Sequence, residues 1–130
     1  MTSVLIVDDS AEVRDIVRTF LSRVNSGYTV CGEASDGLQA IKQAEVLKPD
    51  LILIDLRMPI MNGIEAATVV KRMLPKTQVV LFTNYTEDIG TALALKSGVD
   101  LVLAKGSLSD MAQALKTLTD HKLHPSNPAS

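Results

Sequence analysis

Two short aliphatic runs, Val4-Leu5-Ile6-Val7 and Leu51-Ile52-Leu53-Ile54, each stop abruptly at aspartate, Asp8-Asp9 after the first and Asp55 after the second. A run this short and uniformly apolar reads as a strand buried on both faces, as parallel strands between helix layers are. The segments between such runs carry the other period. Val13, Ile16, Val17, Phe20, Leu21 and Val24 fall on one face of an α-helix, stopped at Asn25-Ser26-Gly27. Residues 28–34 alternate in part and read as a second strand. A turn at Ser35-Asp36-Gly37 precedes a short helix on Leu38, Ile41, Ala44 and Leu47, closed before Pro49. After Asp55, Pro59 and Gly63 mark a loop, and Ile64, Ala67, Val70 and Leu74 a third helix ended by Pro75. Residues 78–82 form a fourth strand ending at Thr83, and Ile89, Ala92, Leu93 and Leu95 a fourth helix stopped by Gly98. Residues 101–104 form a fifth strand ending at Lys105, and Leu108, Met111, Ala112, Leu115 and Leu118 line a fifth helix.

Five strands alternating with helices specify an α/β fold with a doubly wound parallel sheet. The length, 130 residues, is that of one domain. The domain is expected over residues 1–121, with 122–130 a flexible tail that carries two prolines and no periodicity. Apolar residues make up 46% and charged residues 22%, which excludes wholesale disorder. Thirteen Lys and Arg against fifteen Asp and Glu leave a net charge of −2, so no overall basic field points to direct nucleic-acid binding, and no room is expected for a separate DNA-binding domain. Cys31 is the single cysteine, which rules out an internal disulfide and a multi-thiolate metal site, and it is expected in the core. No apolar run approaches the ~20 residues of a membrane span. The N-terminus lacks a signal-peptide pattern, so a cytoplasmic location is expected.

In open parallel sheets, sites form beyond the carboxyl ends of the strands, where the strand order reverses. Five polar residues converge there: Asp8 and Asp9 from the first strand, Asp55 from the third, Thr83 from the fourth and Lys105 from the fifth. The second strand offers only Glu33 near its end and is expected to lie off the site. Three neighbouring carboxylates oppose each other's ionisation, and a divalent cation relieves that repulsion. An all-oxygen donor set favours Mg²⁺, with Mn²⁺ possible, over zinc or copper. Lys105 and Thr83 then supply a charge and a hydroxyl to a phosphoryl group. No Gly-x-x-x-x-Gly-Lys-Ser/Thr run exists, and the turn after the first strand is acidic, so a nucleotide phosphate cradle is absent. Asp9 with Glu12 has helix-capping spacing, Met58 and Met61 read as loop packing, and His121 and His124 as a solvent-exposed helix end and tail.

Val7-Asp8-Asp9-Ser10, the run from Asp55 through Met58-Pro59, Met61 and Gly63, Phe82-Thr83, and Lys105 together resemble the receiver domain of bacterial two-component response regulators, of the CheY-like single-domain kind. The resemblance spans about residues 3 to 120. It implies a flavodoxin-like fold with strand order 2-1-3-4-5. It implies that Asp55 accepts a phosphoryl group from a sensor histidine kinase or phosphotransfer protein. It also implies that Asp9, Asp55 and the backbone carbonyl of Arg57 bind Mg²⁺ directly, with Asp8 acting mainly through water. Thr83 and Lys105 are then the residues that contact the phosphoryl group. On this reading the protein is no enzyme beyond its own phosphorylation and slow dephosphorylation. Its output passes to a downstream protein through the face made by the fourth helix, fifth strand and fifth helix, in a monomer or weak dimer.

Three positions depart from the family pattern. Val102 stands where an aromatic is usual, and Tyr85 is a candidate substitute for it. Gly106 follows Lys105 in place of proline, so a trans bond or a local rearrangement is expected there. Asn84 is bulkier than the usual small residue and is expected to narrow access to Asp55, while Arg57 and Tyr85 are expected to shield an acyl phosphate from water. Two other function classes stay open: a receiver-fold binding module independent of phosphorylation, and a metal-dependent phosphohydrolase working through an aspartyl phosphate.

Overall fold

The computed structural model describes residues 1–24, 27–83, 97–106 and 108–123. In chain order the described elements are β1 (Thr2–Val7), α1 (Ala11–Val24), β2 (Tyr28–Ala34), α2 (Gly37–Leu47), β3 (Leu51–Ile54), α3 (Gly63–Met73), β4 (Gln78–Thr83), β5 (Leu101–Ala104) and α4 (Leu108–Leu123). The helix expected on Ile89 to Leu95, and with it Asn84 and Tyr85, lies outside the described residues. The last helix, α4, is therefore the fifth of the sequence reading, and it runs to Leu123.

The five strands form one parallel sheet in the order β2-β1-β3-β4-β5. Alternation along each strand divides its side chains between two cores. Leu5, Val7, Ile52, Ile54, Val79 and Leu81 pack with Ala40 and Ala44 of α2 and Ala66, Ala67 and Val70 of α3. Val4, Ile6, Leu51, Leu53, Val80 and Phe82 pack on the opposite face with Val17 and Leu21 of α1 and Met111 and Leu115 of α4. Burying each of the larger side chains contributes about 1.5–3 kcal/mol. Ile16 departs from the expected buried face of α1 and is 47% exposed. Cys31 is half-buried rather than buried, its thiol facing the Val4 carbonyl at 3.4 Å, and burial raises its pKa. Met58 and Met61 pack at the margin of the first core, as expected of loop methionines.

Register carries the strand ends to one edge. Val7 pairs with Ile54, Ile54 with Leu81, and Thr83 with Ala104. The hydrogen bond from the Asp55 amide to the Val7 carbonyl, 2.9 Å, continues the β1–β3 ladder one step past the strands. The Lys105 amide does the same toward the Thr83 carbonyl at 3.2 Å. No helix among the described residues is long and apolar enough to cross a membrane.

Candidate acidic site at the carboxyl edge of the sheet

β1 and β3 are neighbours where the strand order reverses, so Asp8 and Asp55 stand side by side at the crevice such sheets leave open. Carboxylate oxygens of Asp8, Asp9 and Asp55 lie within 4.8 Å of one another. Asp8 and Asp55 are 3% and 5% exposed, Thr83 is fully buried, and Asp9 faces solvent. Lys105 reaches across from β5 and places Nζ 2.6 Å from Asp8 Oδ2 and 3.4 Å from Asp55 Oδ2. In this form the ammonium thus sits closer to Asp8 than to the residue it is expected to serve.

The loops hold these groups by local chemistry. Asp8 Oδ1 accepts from the Ser10 amide at 2.9 Å, and the Ser10 hydroxyl accepts from the Val13 amide at 3.2 Å. Ser10, not Asp9, therefore caps α1, which leaves the Asp9 carboxylate free of capping duty. After β3, Gly63 donates its amide to the Leu56 carbonyl at 2.8 Å. A Cβ at position 63 would collide with the Asp55 carbonyl oxygen, so only glycine lets α3 begin this close to Asp55. Asn62 and Glu65 complete a reciprocal capping box at that helix start. The exposed Arg57 side chain lies on the connecting loop, and Ile60 within it adopts φ 73°. No described peptide bond is cis, in keeping with the trans bond expected before Gly106.

Burial pushes the Asp55 carboxyl above its usual range, and the Asp8 charge adds to that, against the opposing charge of Lys105 and the Thr83 hydroxyl. For Lys105, burial works against the charge, but the hydrogen bond to Asp8 and the charges of Asp55 and Asp8 outweigh it and raise the pKa. Asp55 Oδ1 is buried and has no hydrogen-bond partner among the described residues. A buried anionic oxygen left unpaired is costly, so it marks a position where a cation or an incoming group completes the site. The three carboxylates and the unpaired oxygen fit a hard divalent cation of the Mg²⁺ type.

Residues 4–117 match the model of the response regulator receiver domain. The chain is 46% identical over 114 residues to the response regulator protein VraR of Staphylococcus saprophyticus, covering 87% of this chain and 54% of that protein. It is 43% identical over the same length to VraR of Staphylococcus aureus. The chain thus spans about half the length of the curated relatives it matches. Among solved structures, it resembles the response regulator domain of Thermotoga maritima CheB at 33% identity and TM-score 0.75, covering 92% of each chain. It also resembles the receiver domain of the putative regulator NarL of Mycobacterium tuberculosis at 31% identity and TM-score 0.78, covering 93% of this chain and 95% of that one. This chain belongs to the response regulator receiver domain family. Receiver domains are phosphorylation-dependent signalling elements that work with histidine kinases and bind Mg²⁺ in an acidic pocket, and this chain has such an acidic group.

The five expected side chains, Asp8, Asp9, Asp55, Thr83 and Lys105, all lie at this edge. Beside these lies an ion pair that the sequence reading did not connect to them. Arg14 of α1 donates through Nη1 to the Asp8 carbonyl at 2.5 Å and through Nε to Glu33 Oε1 at 3.0 Å. Glu33, expected off the site, is the anchor of that arginine and also pairs with Arg18. A signal was present: a cation in the first turn of a helix opposes the macrodipole and needs a partner to hold it there.

Proposed function

We propose that this receiver domain takes a phosphoryl group onto Asp55 and signals through the protein contacts that the modification changes. The observation that carries the reading is the buried, unpaired Asp55 Oδ1 beside two further carboxylates and the Lys105 ammonium. Asp55 is the nucleophile: a carboxylate oxygen forms the new bond to phosphorus as the bond from phosphorus to the donor breaks, and the donor leaves with the electron pair. Lys105 pairs with the phosphoryl oxygens and Thr83 donates its hydroxyl to them, so the charge that develops meets donors already in place. Asp9, Asp55 and the Arg57 carbonyl hold Mg²⁺, with Asp8 acting through water, and when bound the ion offsets the negative charge of carboxylates and phosphoryl oxygens. Residues 1–121 are the receiver unit. The donor is a sensor histidine kinase or phosphotransfer protein, and the output face is the one around β5 and α4.

The test is intact mass after incubation with acetyl phosphate and Mg²⁺, on wild type and Asp55→Asn. Wild type alone gains one phosphoryl group. A gain in Asp55→Asn assigns the acceptor elsewhere, many turnovers of a small phosphate ester make the protein a hydrolase, and no gain in either with no Mg²⁺ binding leaves the phosphorylation-independent module. The decay rate of the labelled form reads the shielding expected of Arg57 and Tyr85.

A further inference from the structure

The Asp9 carboxylate faces solvent, and among the described residues no hydrogen bond or ion pair holds it. Its position is therefore set by its backbone, and that backbone is held from one side by a charged clamp. Arg14 Nη1 donates to the Asp8 carbonyl, the oxygen of the peptide that joins Asp8 to Asp9, at 2.5 Å. The same guanidinium donates through Nε to Glu33 at the end of β2, and both side chains of this pair are half-buried. Asp8 itself is fixed at three further points: its amide to the Ala34 carbonyl, Oδ1 to the Ser10 amide, and Oδ2 to Lys105. With Arg14 on the carbonyl, the plane of the Asp8–Asp9 peptide has one orientation.

We infer that Arg14, oriented by Glu33, is a positioning residue for the Mg²⁺ site: it sets the Asp8–Asp9 peptide and through it aims the Asp9 carboxylate. The inference rests on the reading of the acidic group as a Mg²⁺ site. Charge and position make opposite predictions here. A guanidinium on the Asp8 carbonyl adds positive charge near the acidic group, so on charge alone removing it tightens Mg²⁺ binding. As a positioning residue, its loss weakens binding, because partners that orient metal ligands are worth about 10–100-fold in affinity. Glu33, shared with Arg18, orients the Arg14 fork, a geometry that a lysine ammonium cannot reproduce.

Isothermal titration with MgCl₂ on the intact chain tests this, with thermal unfolding in chelator as the check on folding. Arg14→Gln is expected to weaken Mg²⁺ binding about 10-fold, with Glu33→Gln weakening it in the same direction. The double variant is expected to bind no more weakly than Arg14→Gln alone, since Glu33 acts through Arg14. Arg14→Lys keeps the charge and loses the fork, so it shows the same loss and stands in should Arg14→Gln fail to fold. An affinity within about twofold of wild type, or tighter, in a folded Arg14 variant overturns the inference and leaves the metal reading intact. Wild type without Mg²⁺ binding, or Asp9→Asn binding like wild type, overturns the metal reading and the inference with it.

Discussion

Asp55 is a carboxylate that the fold buries before anything neutralises it. Desolvation raises its pKa above the unfolded value, the neighbouring Asp8 adds to the rise, and Lys105 and Thr83 offset only part of it. The sign follows from linkage: the folded form holds the proton more tightly, so this group's stabilising contribution is full below about pH 3.9 and is lost as pH rises through the raised folded value. Above that window the ionised group costs stability. In chelator, Asp55→Asn is expected to unfold at higher urea than wild type at neutral pH, with the gap closing as pH falls toward 4. A gap that does not depend on pH would refute this account. Lys105 has the same sign of linkage at a higher pH: its pKa is raised too, so the stability it adds is full below the ordinary lysine value and is lost as pH rises through the raised one. Ile60 is a second residue the fold holds at a cost. It sits at φ 73° with its side chain 78% exposed, so a β-branched residue occupies the left-handed region without burial to offset it. Ile60→Gly is expected to stabilise by about 1 kcal/mol, read as a higher urea midpoint with an unchanged slope.

At the scale of elements, the helix starts do more than start helices. Ser10 caps α1 while its amide holds Asp8 Oδ1, so the cap and the acidic loop are one structure. Asn62 caps α3 in a capping box with Glu65, and the adjoining Gly63 lies against the Asp55 carbonyl. Asn62→Ala is expected to cost about 1 kcal/mol, measured as a lower urea midpoint. Val102 of β5 packs toward the core of α2 and α3, at the place where the family carries an aromatic. A side chain of that size and shape offers no ring to reorient, so any switching motion has to run through other residues.

For the whole molecule, the cation and the fold are linked. Three carboxylates gathered at one sheet edge repel one another in the folded chain and are far apart in the unfolded one. Mg²⁺ binding is expected to raise Tm, by an amount equivalent to about 2.7 kcal/mol at 100 times the dissociation constant. Asp9→Asn should lose most of that increment. Equal increments in both proteins would place the ion elsewhere.

The sequence by itself determined the alternation of strands and helices, the residues at the strand ends, and hence which side chains could meet. Aliphatic runs such as residues 51–54 and one-sided periodicity such as that of α1 are local signals, readable without neighbours. Strand order came from the resemblance of the Asp55 to Gly63 run and its companions rather than from any single strand, because four parallel aliphatic strands look alike to a local pattern. Only the tertiary structure decided that Lys105 rests on Asp8 more closely than on Asp55, that Asp55 Oδ1 stays unpaired, and that Arg14, paired with Glu33, reaches the Asp8 carbonyl. Those are contacts between elements: Arg14 and Glu33 lie 19 residues apart, and α1 and β2 meet only when both pack on the same sheet. Side-chain period names the face a residue occupies, but register and helix packing choose which charges share it.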